Sequence, residues 1–191
     1  MASSILTPKT LSELTRIAAR KGKDLVFLAS SDAGDRPLGS KTPVDLSQLP
    51  ALNEASLKKG KAVVGVGLSL GRVSREAAGD NGILRQAAAL LTNPLTRNRV
   101  TLLEALAPAS PYIDIATPLV LLDAKVRLAT PTGKRTVSIK DYLEQAARGL
   151  KKGELPTAVE FDALPSSARI AFFRVNRAGS KESVSAAVRR S

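Results

Sequence analysis

The spacing of hydrophobic residues near the N-terminus predicts a helix followed by a strand. Leu11, Leu14 and Ile17 recur at helical spacing, so a helix is expected to run from about residue 11 to Arg20, with Thr10 or Ser12 as its N-cap and Gly22 at its end. The apolar run 24–29 then indicates a short buried strand, and the polar stretch 30–37 indicates a loop. Small residues after a strand let backbone N–H groups approach an anion, although an ordinary polar loop explains the stretch equally well.

Alternating and helical patterns along the rest of the chain predict a mixture of helices and antiparallel strands, which is an α+β fold. Helices are expected at 69–78, 83–91, 113–122 and 139–147, with Ser138 beginning the last. Strands are expected at 54–57, 62–66, 125–129, 135–137 and 158–161, with hairpin turns at 58–61 and 131–134.

One stretch, 93–124, carries more polar residues than a core segment needs. Arg97, Asn98 and Thr101 follow a predicted helix, and Ser110 and Asp114 follow a segment of small residues. Prolines within the stretch prevent one continuous helix, although a helix can resume at 113–122. We therefore take this stretch as the candidate binding site.

The composition limits the chemistry that the chain itself performs. Hydrophobic residues make up 43% and charged residues 24% of 191 residues, which is typical of a folded globular protein. The sequence contains no cysteine and no histidine, so thiolate catalysis and iron–sulfur ligation by this chain are excluded and redox chemistry would fall to a bound cofactor. No apolar run is long enough for a membrane span and the first residues do not resemble a signal peptide, so a soluble cytoplasmic protein without membrane association is expected.

The formal net charge of +12 is explained either by a solvated basic surface or, more specifically, by an acidic partner subunit, a phosphate-bearing ligand or nucleic acid. The basic residues are spread along the chain and no aromatic residues lie between them, which is not typical of nucleic-acid readers. A basic module for nucleic acid or another polyanion is therefore the weakest of the functional alternatives.

The candidate stretch resembles the second nucleotide loop of the FAD-binding subunits of molybdenum hydroxylases, the group that includes the medium subunit of carbon monoxide dehydrogenase. The matching positions are Arg97, Asn98, Thr101, Ser110, Pro111 and Asp114. The first nucleotide loop of that family is matched by Ala29-Ser30-Ser31-Asp32. Other segments also resemble the family: 42–52 its short strand and turn, 122–143 and 150–157 its later elements, and 172–177 a strand near its C-terminal domain.

The resemblance implies a two-lobed FAD-binding fold of the vanillyl-alcohol-oxidase type, without the C-terminal domain of the family. The implied divisions are an N-terminal lobe at 1–57, a larger α+β lobe at 58–176 and a C-terminal tail at 177–191. The implied function is electron relay from partner iron–sulfur and molybdopterin subunits through FAD to an acceptor, with no catalytic side chain and no metal site in this chain. The implied FAD-binding residues are Ser30, Ser31, Asp32, Arg97, Asn98, Thr101, Ser110, Asp114 and Arg174.

The chain departs from the family pattern at the glycines that bring a loop close to a pyrophosphate. Val100, Leu103 and Glu104 stand at glycine positions of the second loop, and Ser30 and Ser31 stand at those of the first. A branched side chain and a carboxylate oppose an anionic ligand, which leaves open an alternative: a non-catalytic scaffold or assembly subunit of the same fold without FAD. In either case a partner chain is expected to cover the strand edge at 171–188.

Overall fold

The computed structural model describes residues 5–21, 25–28, 42–176 and 183–190. The described helices are α1 (Leu11–Lys21), α2 (Leu70–Glu76), α3 (Ile83–Leu91), α4 (Pro94–Arg99), α5 (Leu102–Ala105), α6 (Ala116–Leu121) and α7 (Ile139–Arg148), with short 3-10 turns at Pro50–Leu52 and Ile113–Ile115. The described strands are β1 (Leu25–Leu28), β2 (Thr42–Asp45), β3 (Ala55–Lys58), β4 (Lys61–Gly65), β5 (Lys125–Thr130), β6 (Gly133–Ser138), β7 (Leu155–Asp162), β8 (Arg169–Asn176) and β9 (Ser183–Arg190).

The first lobe is a small parallel sheet with α1 beside it. β1 and β2 pair in parallel from Leu25 opposite Thr42 onward, and Leu6 bridges to Val44 on the outer side of β2. Of the two candidate caps, Thr10 begins α1, because its Oγ1 accepts a hydrogen bond from the Glu13 amide over 3.2 Å. The prediction of this helix is confirmed; Gly22 lies outside the described residues.

The second lobe is built on a five-stranded antiparallel sheet with the order β3-β4-β7-β5-β6. Alternate residues of its three central strands are buried on one face and form the core with α2, α3, α6 and α7. These buried residues are Ala62, Val64, Val126, Leu128, Val159 and Phe161. The predicted mixture of helices and antiparallel strands is thus observed in this lobe.

Two divisions differ from the sequence analysis. β3 pairs with β4 in a hairpin, so residues 55–57 lie in the sheet of the larger lobe rather than in the N-terminal lobe at 1–57. The stretch 177–191, expected as a tail, contains β9, which pairs antiparallel with β8. The first difference arises because the division at residue 57 cuts through the hairpin predicted around 58–61, whose two strands pair in one sheet. The second arises because strand pairing joins segments that a reading along the chain treats separately.

The β8–β9 hairpin packs one face on the helices of the second lobe. Phe172 is buried there, its amide donates to Gln86 Oε1 of α3 over 3.3 Å, and the hydroxyls of Thr117 and Ser185 lie 2.8 Å apart. The opposite face, which we call the hairpin face, exposes large apolar side chains. These are Phe173 (57% exposed), Val175 (70%), Val184 (75%) and Val188 (52%).

None of the helices in the described part of the chain has the length and apolar character needed to cross a membrane.

Candidate functional site

The first predicted site residues lie on α4, a short helix that Asn93 begins. The Asn93 side chain accepts a hydrogen bond from the Thr96 amide over 2.8 Å, and Pro94 occupies the first helical position. Arg97 turns back to this cap, donating from Nη2 to the Thr92 carbonyl over 3.2 Å. Its Nε is buried and has no hydrogen-bond partner among the described residues.

Asn98 lies against α2 through a close approach at Gly71. A Cβ at Gly71 would meet Asn98 Oδ1 and would lie 3.3 Å from the Arg97 carbonyl oxygen. The absence of a side chain at residue 71 therefore lets α4 pack closely on α2 and sets the position of the loop that follows α4.

That loop leads into α5 through a capping box at Thr101, which is 1% exposed. Thr101 Oγ1 accepts from the Glu104 amide over 3.2 Å, while Glu104 Oε2 accepts from the Thr101 amide over 3.0 Å and lies 3.1 Å from Thr101 Oγ1. The two residues therefore satisfy each other's backbone donors. The Thr-x-x-Glu spacing is the sequence signature of this motif, and it is a signal that the sequence analysis did not use.

The remaining amides of the second loop are also bonded within the chain. The Leu102 amide donates to the Leu68 carbonyl over 2.9 Å, the Leu103 amide to the Val66 carbonyl over 2.8 Å, and the Ala105 amide to the Thr101 carbonyl over 2.9 Å. Every backbone N–H from residue 101 to residue 105 thus has a partner in the protein. A pyrophosphate cradle needs free N–H groups, so these residues do not fit the phosphates of FAD.

The other two residues of the central stretch shape the chain before α6. Ser110 closes a turn, since its Oγ accepts from the Tyr112 amide over 3.2 Å. Asp114 lies in the 3-10 turn Ile113–Ile115, and its Oδ2 accepts from Arg174 Nε of β8 over 3.0 Å. The side chains of this ion pair are 19% and 16% exposed.

The structure thus brings two of the predicted site residues, Asp114 and Arg174, into direct contact across the fold. Arg97, Thr101 and Ser110 hydrogen-bond within their own segments, and Asn98 packs on α2. Ser30, Ser31 and Asp32 lie outside the described residues, so the first loop stays a prediction.

A basic concavity of about 650 Å³, which the sequence did not predict, lies on the open face of the five-stranded sheet. Its cations come from β3, β4, β5 and β6, and therefore do not form a run in the sequence. They are Lys58, Lys61, Arg127, Lys134 and Arg135, and Glu54 also lines the concavity.

Most of these cations have acidic neighbours. Arg127 Nε donates to Glu160 Oε2 over 2.6 Å. Arg135 forms a bidentate pair with Glu154 at 2.9 and 2.7 Å, and these hydrogen bonds raise the pKa of Arg135 and lower the pKa of Glu154 below its usual 4.5. Local pairing therefore neutralises much of the charge, which is weak support for a polyanion site.

Among the described residues no three His, Cys, Asp or Glu side chains are grouped as a metal site would require. The one strongly shifted tyrosine is Tyr142 of α7, where burial raises the pKa to about 12. It is 3% exposed and belongs to the core. Neither observation adds a catalytic group to the candidate site.

Comparison with known proteins identifies relatives of the chain. A family model described as the FAD binding domain in molybdopterin dehydrogenase matches residues 1–163. The 6-hydroxypseudooxynicotine dehydrogenase complex subunit alpha of Paenarthrobacter nicotinovorans is 29% identical over 140 residues, which is 70% of this chain and 46% of that protein. The chain therefore spans about half the length of this curated relative.

Solved structures share the fold. A carbon monoxide dehydrogenase chain from Hydrogenophaga pseudoflava superposes with a TM-score of 0.80 at 20% identity, covering 93% of this chain and 64% of that chain. Quinoline 2-oxidoreductase from Pseudomonas putida 86 gives 0.76 at 24% identity, again covering 93% and 64%. The predicted α+β fold of FAD-binding subunits is confirmed by these matches.

Proposed function

We propose, since the chain belongs to the family of FAD-binding domains in molybdopterin dehydrogenases, that it takes the place of the flavin subunit in a molybdenum hydroxylase-type oxidoreductase complex. The family match over residues 1–163 carries this proposal. The fold supports it, because 93% of the chain superposes on carbon monoxide dehydrogenase. The cytoplasmic location expected from the sequence belongs to the same proposal.

The partners in this proposal are iron–sulfur and molybdopterin subunits. The 191 residues contain no cysteine for an iron–sulfur cluster, so the iron centres belong to other chains. In the first candidate role, electrons from these partners reach an acceptor through FAD, and FAD supplies the redox chemistry when it is bound. The family match favours this role, because the matching model is described as a FAD binding domain.

A second candidate role is that of a structural subunit in the same kind of complex, without flavin. It is favoured by the closed second loop, where the amides of Thr101, Leu102 and Leu103 are all bonded within the chain. The two roles share the same partners and differ only in whether FAD is held. The partner contact is therefore the first thing to test.

The hairpin face is the surface that we assign to a partner subunit. Phe173, Val175, Val184 and Val188 lie on one side of a two-stranded sheet, because Val175 pairs with Val184 and the others follow at alternate positions. A contiguous apolar face of this kind is typical of an interaction site. Charged residues at Arg169 and Arg190 flank its end in the paired register.

The experiment that tests the proposal is purification of the tagged chain from its native cells, followed by metal analysis of the bound proteins. We expect iron and molybdenum to copurify with the wild-type chain and to be lost with the Phe173→Ser/Val184→Ser variant. Leu95→Ser is the matched control, since Leu95 is 70% exposed on α4, away from the hairpin. The proposal is contradicted if neither iron nor molybdenum copurifies with the wild-type chain. It is also contradicted if the Leu95→Ser control loses these metals to the same extent as the Phe173→Ser/Val184→Ser variant.

A further inference from the structure

We infer that Glu104 closes the second nucleotide loop of this fold, so that the chain does not hold the FAD pyrophosphate there. The inference rests on the proposed function, because the chain belongs to a FAD-binding family and residues 97–114 resemble the second nucleotide loop of that family. It goes further in assigning the obstruction to one carboxylate. It also chooses the structural role over electron relay for this chain.

The first step of the argument is the direction of the Glu104 side chain. From sequence, a carboxylate at a glycine position is expected to repel a phosphate. In the structure it turns inward, and Oε2 lies 3.0 Å from the Thr101 amide nitrogen and 3.1 Å from Thr101 Oγ1. Glu104 therefore occupies donors that an incoming anion would use, and it carries the negative charge that such an anion would bring.

The second step is the absence of any other donor along the same loop. The amides of Leu102, Leu103 and Ala105 are bonded to the carbonyls of Leu68, Val66 and Thr101. Two of these bonds tie the loop to the segment that continues β4, so they cannot be released without separating packed elements. A phosphate that displaced the carboxylate would reach only the Thr101 amide and hydroxyl, because the amides of residues 102–105 are bonded to other acceptors in the chain.

The third step is the anchoring of the loop by apolar side chains. Leu102 is 1% exposed, and Leu103 packs against the core cluster instead of projecting away from it. Burial of Leu102 and partial burial of Leu103 beside the capping box stabilise the closed form, because opening the loop would expose apolar surface. Glycines at residues 103 and 104 would remove one of these two anchors and the internal anion.

The test is retention of FAD by the isolated chain, measured as flavin absorbance in the protein peak after gel filtration. We expect no retained flavin for the wild type and a gain of at least about tenfold in affinity for Leu103→Gly/Glu104→Gly. Asp141→Gly is the matched control, since Asp141 is the acidic partner of the Ser138 cap at the same position of α7. It should behave like the wild type.

Glu104→Gln is a second variant that keeps the shape of the capping box and removes only its charge. It should retain more FAD than the wild type and less than the double glycine variant, with circular dichroism confirming that each protein is folded. Stoichiometric FAD in the wild type would overturn the inference. So would variants that are folded and bind no better than the wild type. Neither result tests the proposed complex, which is tested separately by the copurification of iron and molybdenum.

Discussion

Arg174 of β8 donates a hydrogen bond to Asp114 over 3.0 Å, although 60 positions separate the two residues. The pair joins the hairpin β8–β9 to the 3-10 turn that precedes α6. Both side chains are largely shielded, at 16% and 19% exposure, so water weakens the attraction less than it does at an open surface. The contact therefore holds together two parts of the fold that carry the candidate site and the hairpin face.

The first prediction concerns this pair. Asp114→Asn and Arg174→Met should each lower the free energy of unfolding by about 1–3 kcal/mol, because each removes the hydrogen-bonded ion pair between two largely shielded side chains. A double-mutant cycle by urea denaturation should give a coupling energy of about 1–2 kcal/mol. The same cycle on Lys61 and Asp162, which are 3.8 Å apart and 49% and 86% exposed, should give less than about 0.5 kcal/mol. Equal coupling energies in the two cycles would contradict the conclusion that shielding strengthens the Asp114–Arg174 pair.

The second prediction concerns the capping box. Thr101→Val keeps the shape of a buried side chain and removes the hydroxyl that accepts from the Glu104 amide. We expect a loss of about 1–2 kcal/mol in unfolding free energy. Asn93→Ala removes an exposed cap from α4 and should cost less, about 0.5–1 kcal/mol, since water replaces the lost acceptor. Chemical denaturation of both variants checks that Thr101→Val loses more unfolding free energy than Asn93→Ala.

The third prediction is a pH dependence at Glu154, whose side chain is 5% exposed. Its pKa is lowered below 4.5 by the hydrogen bonds from Arg135, so the stabilisation is present above that value and is lost as the pH falls through the folded pKa. Glu154→Gln should cost about 2 kcal/mol at neutral pH and progressively less below pH 4.5.

The control for this measurement is Glu144→Gln. Glu144 is 69% exposed and lies 3.9 Å from Arg148, so its replacement should change stability by less than about 0.5 kcal/mol at any pH. If the difference in unfolding free energy between wild type and Glu154→Gln does not decrease as the pH falls, the Arg135–Glu154 ion pair is not its cause.

The fourth prediction concerns the contact between the first lobe and β4. A Cβ at Gly65 would collide with the carbonyl of Leu52, which is main chain and cannot rotate away. Gly65→Ala should therefore destabilise the protein by about 2–3 kcal/mol. Gly60→Ala meets no atom within 4 Å but sits at φ +73°, and should cost about 1 kcal/mol. A larger fall in melting temperature for Gly60→Ala than for Gly65→Ala would refute this account.

The sequence predicted most of the described elements because their signals are local. The spacing of Leu11, Leu14 and Ile17 is enough to predict α1, and Ser138 is a recognisable cap for α7. Element ends moved by one to three residues, as for β7, which extends beyond 158–161 in both directions. The pairing of strands was harder to predict, since β9, the partner of β8, was not expected.

For the candidate site, the sequence alone determined which residues are neighbours along the chain. The fold was predicted through the family resemblance. The Thr-x-x-Glu spacing also indicates the turn of Glu104 onto Thr101, which is a local contact. The order of the sheet and the contact of Asp114 with Arg174 were decided by the tertiary structure alone. The physical reason is that a hydrogen bond or ion pair depends on the direction and separation of two side chains. These quantities arise when distant segments pack, so a local pattern does not contain them.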